Sequence, residues 1–163
     1  MAKSSVIGTK RDGTIRIQDL GPNNTMDIAL DVGDFTFEEP KADRIVIRDR
    51  GTISGLRKGD DAVGSLSFSI HFSEFTNATA QCLMDFIYNR NFCSGFSSTG
   101  GNGYEQYLVD VKYTCDKTAL GDAVAATSTF TKVLLFASFT EGDSDTMTVT
   151  GEVYGGYAYT GIA

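Results

Sequence analysis

The 163-residue chain is poor in the residues that most often build catalytic, metal-binding and disulfide-bonded sites. It has one histidine, His71, and three cysteines, Cys82, Cys93 and Cys115, with no CxxC pair among them. An odd cysteine count at this spacing fits neither a disulfide framework nor a zinc site. We therefore expect free thiols in a reducing compartment.

Long hydrophobic runs are also missing. The longest apolar run covers residues 133–137, whereas a membrane-spanning helix needs about 20 residues. The opening residues, MAKSSVIGTKRDG, lack the apolar segment of a signal peptide. We expect a protein that is made and used without secretion and without insertion into a membrane.

Catalytic motifs are equally sparse. His71 lies two residues from Ser69 and Ser73, but a serine nucleophile also needs an orienting carboxylate and an oxyanion hole. The segment SGFSSTGGNG lacks the Gly-Lys-Ser/Thr of a phosphate-binding loop. Asp60 and Asp61 make one carboxylate pair, and a hard cation takes about six oxygen ligands. The sequence predicts no enzyme, no cofactor and no metal site.

The charge balance also limits the partners. Twenty-one acidic residues against 14 basic residues give a net charge of −7. An acidic surface repels phosphate, so tight binding of DNA or RNA is not expected. The same charge is compatible with a protein that comes close to nucleic acid but has to avoid adhering to it.

What the sequence has in abundance is glycine and short polar residues, with 18 glycines against two prolines. Alternation of apolar and polar residues predicts strands. They fall near residues 6–9, 14–18, 26–32, 35–37, 44–48, 65–72, 107–114, 127–140 and 146–153. One apolar stripe predicts a helix over 78–89, capped by Thr76 or Asn77. The expected fold is all-β with one helix and two packed antiparallel sheets, in a single domain over 1–163. An extended loop is expected near 51–64 and a C-terminal tail near 154–163.

Three groups of residues are candidate functional surfaces. The first is a set of short polar and acidic strand residues: Asp27, Asp31, Ser65, Ser67, Ser69, Thr146, Thr148, Thr150 and Glu152. Such a face suits the wall of a water-filled channel, although serine and threonine are also common on exposed strands. The second group is the loop charges Arg57, Lys58, Asp60 and Asp61, whose mixed signs suit contact with an identical copy. The third is Tyr154, Tyr157 and Tyr159, which could stack on a sugar or base but more often cover a neighbouring subunit.

One segment carries a family resemblance. The run RGTISGLRKGDDAVGSLSFSIHFSEFT, residues 50–76, is followed at once by the single predicted helix. This central third of the chain resembles the major tail tube proteins of long-tailed, siphovirus-type bacteriophages. The resemblance implies a two-sheet subunit that completes a multi-subunit barrel, in hexameric rings stacked into a tube. It further implies that the 51–64 loop reaches the adjacent ring and that the serine strand lines the lumen or packs a ring interface.

The same resemblance implies the partners and the location. The partners would be further copies of the chain and the tape-measure and tail terminator or tip proteins, with DNA passing through the lumen during ejection without specific binding. The protein would be part of the virion after assembly in the host cytoplasm. Two alternatives remain: a secretion-system tube protein of similar fold, and a β-sandwich binding module such as a virion decoration protein or adhesin. The second should display exposed aromatic residues on loops, and only residues 154–159 qualify.

Overall fold

A computed structural model describes the protein at residues 13–19, 24–29, 35–71, 82–89, 106–115, 124–139 and 146–160. This part of the chain contains strands and one short helix, α1 (Leu83–Tyr88). The strands are β1 (Gly13–Asp19), β2 (Thr25–Ala29), β3 (Thr36–Glu38), β4 (Arg44–Asp49), β5 (Thr52–Lys58), β6 (Gly64–His71), β7 (Val109–Cys115), β8 (Ala126–Ser138), β9 (Thr146–Val153) and β10 (Tyr157–Thr160).

The strands form two antiparallel sheets. The large sheet has the order β2-β1-β7-β8-β9-β6-β3, and β10 also pairs with β8. The second sheet is the β4–β5 hairpin. The predicted fold class, all-β with one helix and two antiparallel sheets, is confirmed. The predicted strand at 6–9 and its turn lie outside the described residues.

The core lies on one face of the large sheet. Along β9, buried and exposed residues alternate without interruption, as period two requires when one face is covered. Helix α1 adds side chains to this core. The buried apolar cluster consists of Ile15, Ile17, Ile28, Leu66, Phe68, Ile70, Leu83, Met84, Phe86, Val109, Val111, Phe130, Val133, Leu135, Met147, Val149 and Val153.

The large sheet is strongly curled. Phe37 lies on the edge strand β3, and Phe130 lies on β8, which β6 and β9 separate from β3 in the sheet. The centres of the two rings are nevertheless only 4.5 Å apart. Phe35, just before β3, stacks on Tyr113 of β7 at 4.6 Å with the rings 5° from parallel. Contacts across that many strands are possible only because the sheet rolls until its β3 edge faces its middle. The core is therefore enclosed by the two halves of one sheet.

A bulge in β8 fixes where the last strand begins. Lys132 has a φ of 54°, rare for a residue with a side chain, and the β7–β8 register shifts beside it. Its amide donates to Asp110 Oδ1 at 3.0 Å, and its carbonyl accepts from Tyr154 N at 3.1 Å. Gly155 then donates to the Thr131 carbonyl at 2.9 Å. β9 thus passes into β10 along one edge of β8. Position 155 has to be glycine for this path, because a Cβ there would lie 2.6 Å from the Thr131 carbonyl oxygen.

Asp110 provides a test of this bulge. Burial raises the pKa of its carboxyl, against a smaller lowering by the Lys132 amide. Because the pKa is raised in the folded state, protonated Asp110 contributes stability below about pH 4, the ordinary pKa of an aspartate. This contribution is lost as the pH rises through the pKa of Asp110 in the folded protein. Asp110→Asn keeps an acceptor for Lys132 and cannot ionise. We expect its unfolding free energy at pH 7 to equal or exceed that of the wild type.

Asp110→Ala is the matched control, because it removes the acceptor as well as the charge. A backbone amide that loses its partner in a partly buried site costs about 1 kcal/mol or more. Urea unfolding at pH 4 and pH 7 measures both variants. An asparagine variant as unstable as the alanine variant at pH 7 would show that the carboxylate charge itself holds the bulge.

The described helix starts after Cys82, which the sequence predicted to be helical. Cys82 is extended, with φ −115° and ψ 154°, so α1 starts at Leu83; the predicted helical residues 78–81 lie outside the described residues. The Cys82 amide donates to Asp85 Oδ2 at 3.2 Å, which closes a capping box at this end. The predicted caps, Thr76 and Asn77, lie outside the described residues. The helix ends at Asn89, in the left-handed conformation, as the sequence predicted. Cys82 and Cys115 are free thiols; Cys93 is not among the described residues.

Candidate functional site

The serine and threonine residues predicted to share a face do so. Strands β6 and β9 are neighbours, and Ser67 lies opposite Thr150 while Ser69 lies opposite Thr148. Directly opposed side chains on one face of a sheet are about 5 Å apart. Leu66 and Val149, which alternate with them, point into the core. The predicted residues that come together are Ser65, Ser67, Ser69, Thr146, Thr148, Thr150 and Glu152.

This face is wider than the sequence indicated. Thr36 of β3 continues the row of Ser67 and Thr150, and Phe136 of β8 continues it on the other side. We call the outward side chains of β3, β6 and β9 the serine–threonine face. It consists of Thr36, Glu38, Ser65, Ser67, Ser69, Thr146, Thr148, Thr150 and Glu152. Strands β3, β6 and β9 contain no lysine or arginine.

Two carboxylates lie at one end of the serine–threonine face. Glu38 and Glu152 flank Ser65 on the two neighbouring strands. The Tyr154 hydroxyl donates to Glu152 Oε2 at 2.5 Å, and this hydrogen bond raises the pKa of Tyr154. The face is therefore neutral over most of its length and acidic near the β3–β4 connection.

Asp27 does not join this face. It lies on β2, separated from β9 by β1, β7 and β8, and Arg16 donates two hydrogen bonds to it, at 2.6 and 2.8 Å. The hydrogen bond from Arg16 lowers the pKa of Asp27 despite some desolvation. Its charge is therefore compensated within the chain and gives no repulsive field of its own. Asp31 lies outside the described residues.

The prediction of a loop at 51–64 is wrong for residues 52–58, because these residues form β5. Arg50 and Gly51 have φ values of 46° and 87°, as a two-residue type I′ turn requires. Ser54 is an extra residue in β5, because Ile47 pairs with Gly55 and Arg48 pairs with Ile53. This bulge shifts the side-chain alternation by one residue, so the strand did not follow period two.

The β4–β5 hairpin exposes apolar residues on both of its faces. On one face Ile53 and Leu56 are each 62% exposed; on the other, Ile45 is 56% exposed. We name the two faces by their residues. The basic face consists of Arg44, Val46, Arg48, Ile53, Leu56 and Lys58, and the mixed face of Ile45, Ile47, Asp49, Thr52, Gly55 and Arg57.

The hairpin also differs in charge from the rest of the chain. Residues 44–58 contain five basic residues and one acidic residue, a net charge of +4. Since the whole chain carries −7, the remaining residues carry −11. The basic charge of the protein is thus concentrated on a projection whose apolar residues are exposed.

The four predicted loop charges have different surroundings. Arg57 lies on the mixed face, and Lys58 forms an ion pair with Asp61. Asp60 accepts a hydrogen bond at its carbonyl from the Asp43 amide at 3.3 Å, and Gly59 N donates to the Asp43 carbonyl at 2.5 Å. The base of the hairpin is therefore tied together by backbone hydrogen bonds, and one of the two aspartates is paired within the chain.

The three tyrosines of the C-terminal tail are exposed. Tyr157 and Tyr159 lie on β10, which pairs with β8 and extends the large sheet. The Tyr157 ring also reaches the core edge, with its centre 5.3 Å from that of Phe37. Tyr157 and Tyr159 thus lie on a strand, and Tyr154 lies in the connection between β9 and β10.

The described residues contain no cluster of metal-binding side chains and no helix of membrane-spanning length. Among them, no three His, Cys, Asp or Glu side chains come close enough to share a metal ion. The described helix has six residues, far fewer than a membrane crossing requires.

Comparison with solved structures places the fold in the tail-tube type. The chain is similar to a chain of the sheath–tube complex of the PVC, an extracellular contractile injection system, in its extended state, with a TM-score of 0.61 and 11% identity, covering 97% of this chain and 94% of that one. It is also similar to a chain of the tube-terminating cap of the anti-feeding prophage, with a TM-score of 0.59 and 13% identity, covering 99% and 95%. A chain of the PVC sheath/tube terminator gives 0.57 and 12% identity, covering 98% and 99%.

Sequence comparisons add nothing to this likeness. No family model matches the chain, and no curated protein matches it significantly. Two of the structures named above come from an extracellular contractile injection system and the third from the anti-feeding prophage, whereas the sequence resemblance was to siphovirus-type tails. The tail-tube fold is common to both interpretations, and the siphovirus type stays a prediction.

Proposed function

We propose that the protein is the subunit of a phage-type tail tube, in which six copies form a ring and rings stack into a tube. The observation that carries this proposal is the serine–threonine face, which spans three adjacent strands without a single cation. Protein surfaces usually carry interspersed lysine, arginine and acidic residues that keep the protein soluble, and charges on edge strands also block unwanted pairing. A face of short neutral side chains binds little, which suits the wall of a channel through which a polymer slides.

The curled sheet supports closure into a ring. Its edges, β2 and β3, lie at the two ends of the strand order. A ring in which each edge pairs with the next copy removes both exposed edges at once. In this arrangement the serine–threonine face lines the lumen, and the DNA passes it during ejection. The further partners are the tape-measure and terminator or tip proteins of the particle.

A contractile particle is the second candidate assembly. The observation that favours it is that the similar structures named above come from the sheath–tube and terminator complexes of an extracellular contractile injection system and from the tube-terminating cap of the anti-feeding prophage. The subunit and its lumen would be built in the same way, and the tube would lie inside a sheath.

Electron microscopy of the purified chain tests the proposal. Rings or rods at high protein concentration are the expected result. Monodisperse monomers under all conditions would contradict it and would favour a binding module.

Lysine substitutions test which way the serine–threonine face looks. Thr148→Lys with Thr150→Lys changes exposed strand positions, so folding stability should stay within about 0.5 kcal/mol of the wild type. Six added pairs of cations in each ring would bind phosphates and retard DNA. We expect particles that adsorb normally but release DNA slowly or incompletely.

Thr14→Lys is the matched control for this pair. Thr14 is exposed on β1, at the far side of the sheet, so its variant should release DNA as the wild type does. Normal release by the double-lysine particles would mean that the face looks away from the lumen.

A further inference from the structure

A cleft of about 340 Å³ opens beside the corner between β9 and β10, a volume within the range of small-molecule sites. Aromatic rings of Phe37, Tyr154 and Tyr157 line it, and Asp61 is the one charged residue among the described residues that do so. We call it the tyrosine cleft. Its lining combines ring faces with a single carboxylate, and this combination restricts the chemistry of a ligand.

The backbone at the corner keeps the tyrosine cleft open. Gly155 and Gly156 lie between the two tyrosines and also line the cleft. Gly156 has a φ of 96°, a conformation that favours glycine, and its carbonyl accepts from the Thr131 amide at 3.1 Å. Hydrogen bonds therefore hold a corner that places no side chain between the two tyrosines.

Both tyrosines donate their hydroxyl protons to carboxylates outside the tyrosine cleft. The Tyr154 hydroxyl donates to Glu152 at 2.5 Å, and the Tyr157 hydroxyl donates to Glu39. These hydrogen bonds raise the pKa of both tyrosines. A carboxylate acceptor also makes the phenol ring richer in electrons, which strengthens its attraction for a cation lying over the ring face. The two rings are about half exposed, so a ligand can reach them.

Hydrogen-bonding capacity separates the possible ligands. The phenol donors are already engaged, and the amides of Tyr154 and Gly155 donate to the carbonyls of Lys132 and Thr131. These groups leave a ligand the Asp61 carboxylate as an acceptor, together with the ring faces. A sugar hydroxyl needs donors as well as acceptors, whereas an ammonium group only donates. The lining therefore favours an ammonium ion over a sugar.

Asp61 is able to take such a ligand although it already has a partner. Its ion pair is with Lys58, and the two side chains are 80% and 67% exposed, respectively. An ion pair this exposed contributes little stability, so another cation can replace Lys58. A carboxylate also accepts several hydrogen bonds at once, so the ligand and Lys58 can share it.

We propose that the tyrosine cleft binds an aliphatic amine of the diamine and polyamine class, with one ammonium group at Asp61 and over the tyrosine rings. Pro40 and Val153 also line the cleft and offer apolar contact to the methylene groups. Glu39 and Glu152, each one hydrogen bond away from a tyrosine, favour a ligand with more than one positive charge. The inference goes beyond the tube assignment and does not rest on it.

Titration of the full chain with spermidine, below its assembly concentration, tests the proposal. Isothermal titration calorimetry should show saturable binding of one spermidine per chain, with a Kd of about 1 mM or below. Tyr154→Leu removes a ring face and Asp61→Asn removes the charge, so each should weaken binding about tenfold or more. Tyr154→Phe keeps the ring and should weaken binding less than Tyr154→Leu does.

The chain offers a matched control for each change. Tyr159 is exposed on the same strand as Tyr157, and Asp60 precedes Asp61, but neither lines the tyrosine cleft. Tyr159→Leu and Asp60→Asn should therefore bind spermidine as the wild type does. Circular dichroism confirms that every variant is folded. Maltose, which is neutral, is the ligand control and should not bind.

Three outcomes would overturn the inference. The first is an absence of saturable spermidine binding to the wild type. The second is an equal loss from Asp60→Asn and Asp61→Asn, because it would mean that the net charge of −7 attracts spermidine without a site. The third is maltose binding that Tyr154→Leu abolishes, since the cleft would then belong to a sugar. The titration uses the free subunit, so its result does not depend on whether the chain forms rings.

Discussion

Replacing Phe130 by alanine is expected to lower the free energy of unfolding by about 3–5 kcal/mol, the range for buried phenylalanine. Phe130 is 1% exposed, and its ring meets those of Phe37 at 4.5 Å and Phe35 at 5.8 Å. These contacts join the β3 edge to the middle of the rolled sheet. The variant therefore loses core volume and also the packing that keeps the sheet curled. Denaturant unfolding measures the loss.

Phe136→Ala is the matched control on the same strand. Its side chain is 48% exposed and points outward beside Thr150, so truncation should change stability by about 0.5 kcal/mol or less. Equal effects of the two variants would contradict the assignment of inner and outer faces along β8.

Removing the hairpin is expected to abolish assembly while leaving the subunit folded. Residues 44–58 can be replaced by a two-residue Asn-Gly connection, because Asp43 and Gly59 are already joined by a hydrogen bond at 2.5 Å. The core contains no residue of β4 or β5. Unfolding free energy should thus stay within about 1 kcal/mol, since shortening a surface loop changes chain entropy little. Electron microscopy should show no rings or tubes at concentrations at which the wild type assembles.

A turn substitution is the control for this deletion. Arg50→Asn keeps the left-handed conformation at a position where asparagine is favoured, so the hairpin persists and assembly should be normal. A deleted chain that still formed tubes would show that β4 and β5 are dispensable for assembly.

The sequence predicted the strands that have one buried and one exposed face. Alternation along β6 and β9 is complete, so the assignment of Leu66 and Val149 to the core and of Ser67 and Thr150 to the surface needed no structure. The pairing of these two strands could not be predicted, because 82 residues lie between the paired Ser67 and Thr150 and period two says nothing about which strands meet. Thr36 was missed because its strand has only three residues and because the sequence does not show that this strand pairs with β6.

Bulges account for the larger errors. In β5 the extra residue, Ser54, places Ile53 and Leu56 on one face at a spacing of three, and the glycines nearby favoured a loop. In β8 the bulge at Lys132 sets which residues of the apolar run face outward, so Phe136 could not be assigned to a face. The compensation of Asp27 by Arg16 also depends on strand pairing, and composition alone could not indicate it.

The order of strands in the sheet dictates when the chain can fold during synthesis. Gly13 pairs with Cys115, and Gly64 pairs with Val153, so the large sheet cannot close until nearly the whole chain has left the ribosome. Sheets dominated by such distant pairings fold in milliseconds to seconds. The hairpin needs only its own 15 residues, which include its two-residue turn, and hairpins form in about 1–10 μs. All the pairing partners of the hairpin are therefore on the chain once residue 58 has been synthesised, long before the sheet that carries the hairpin can close.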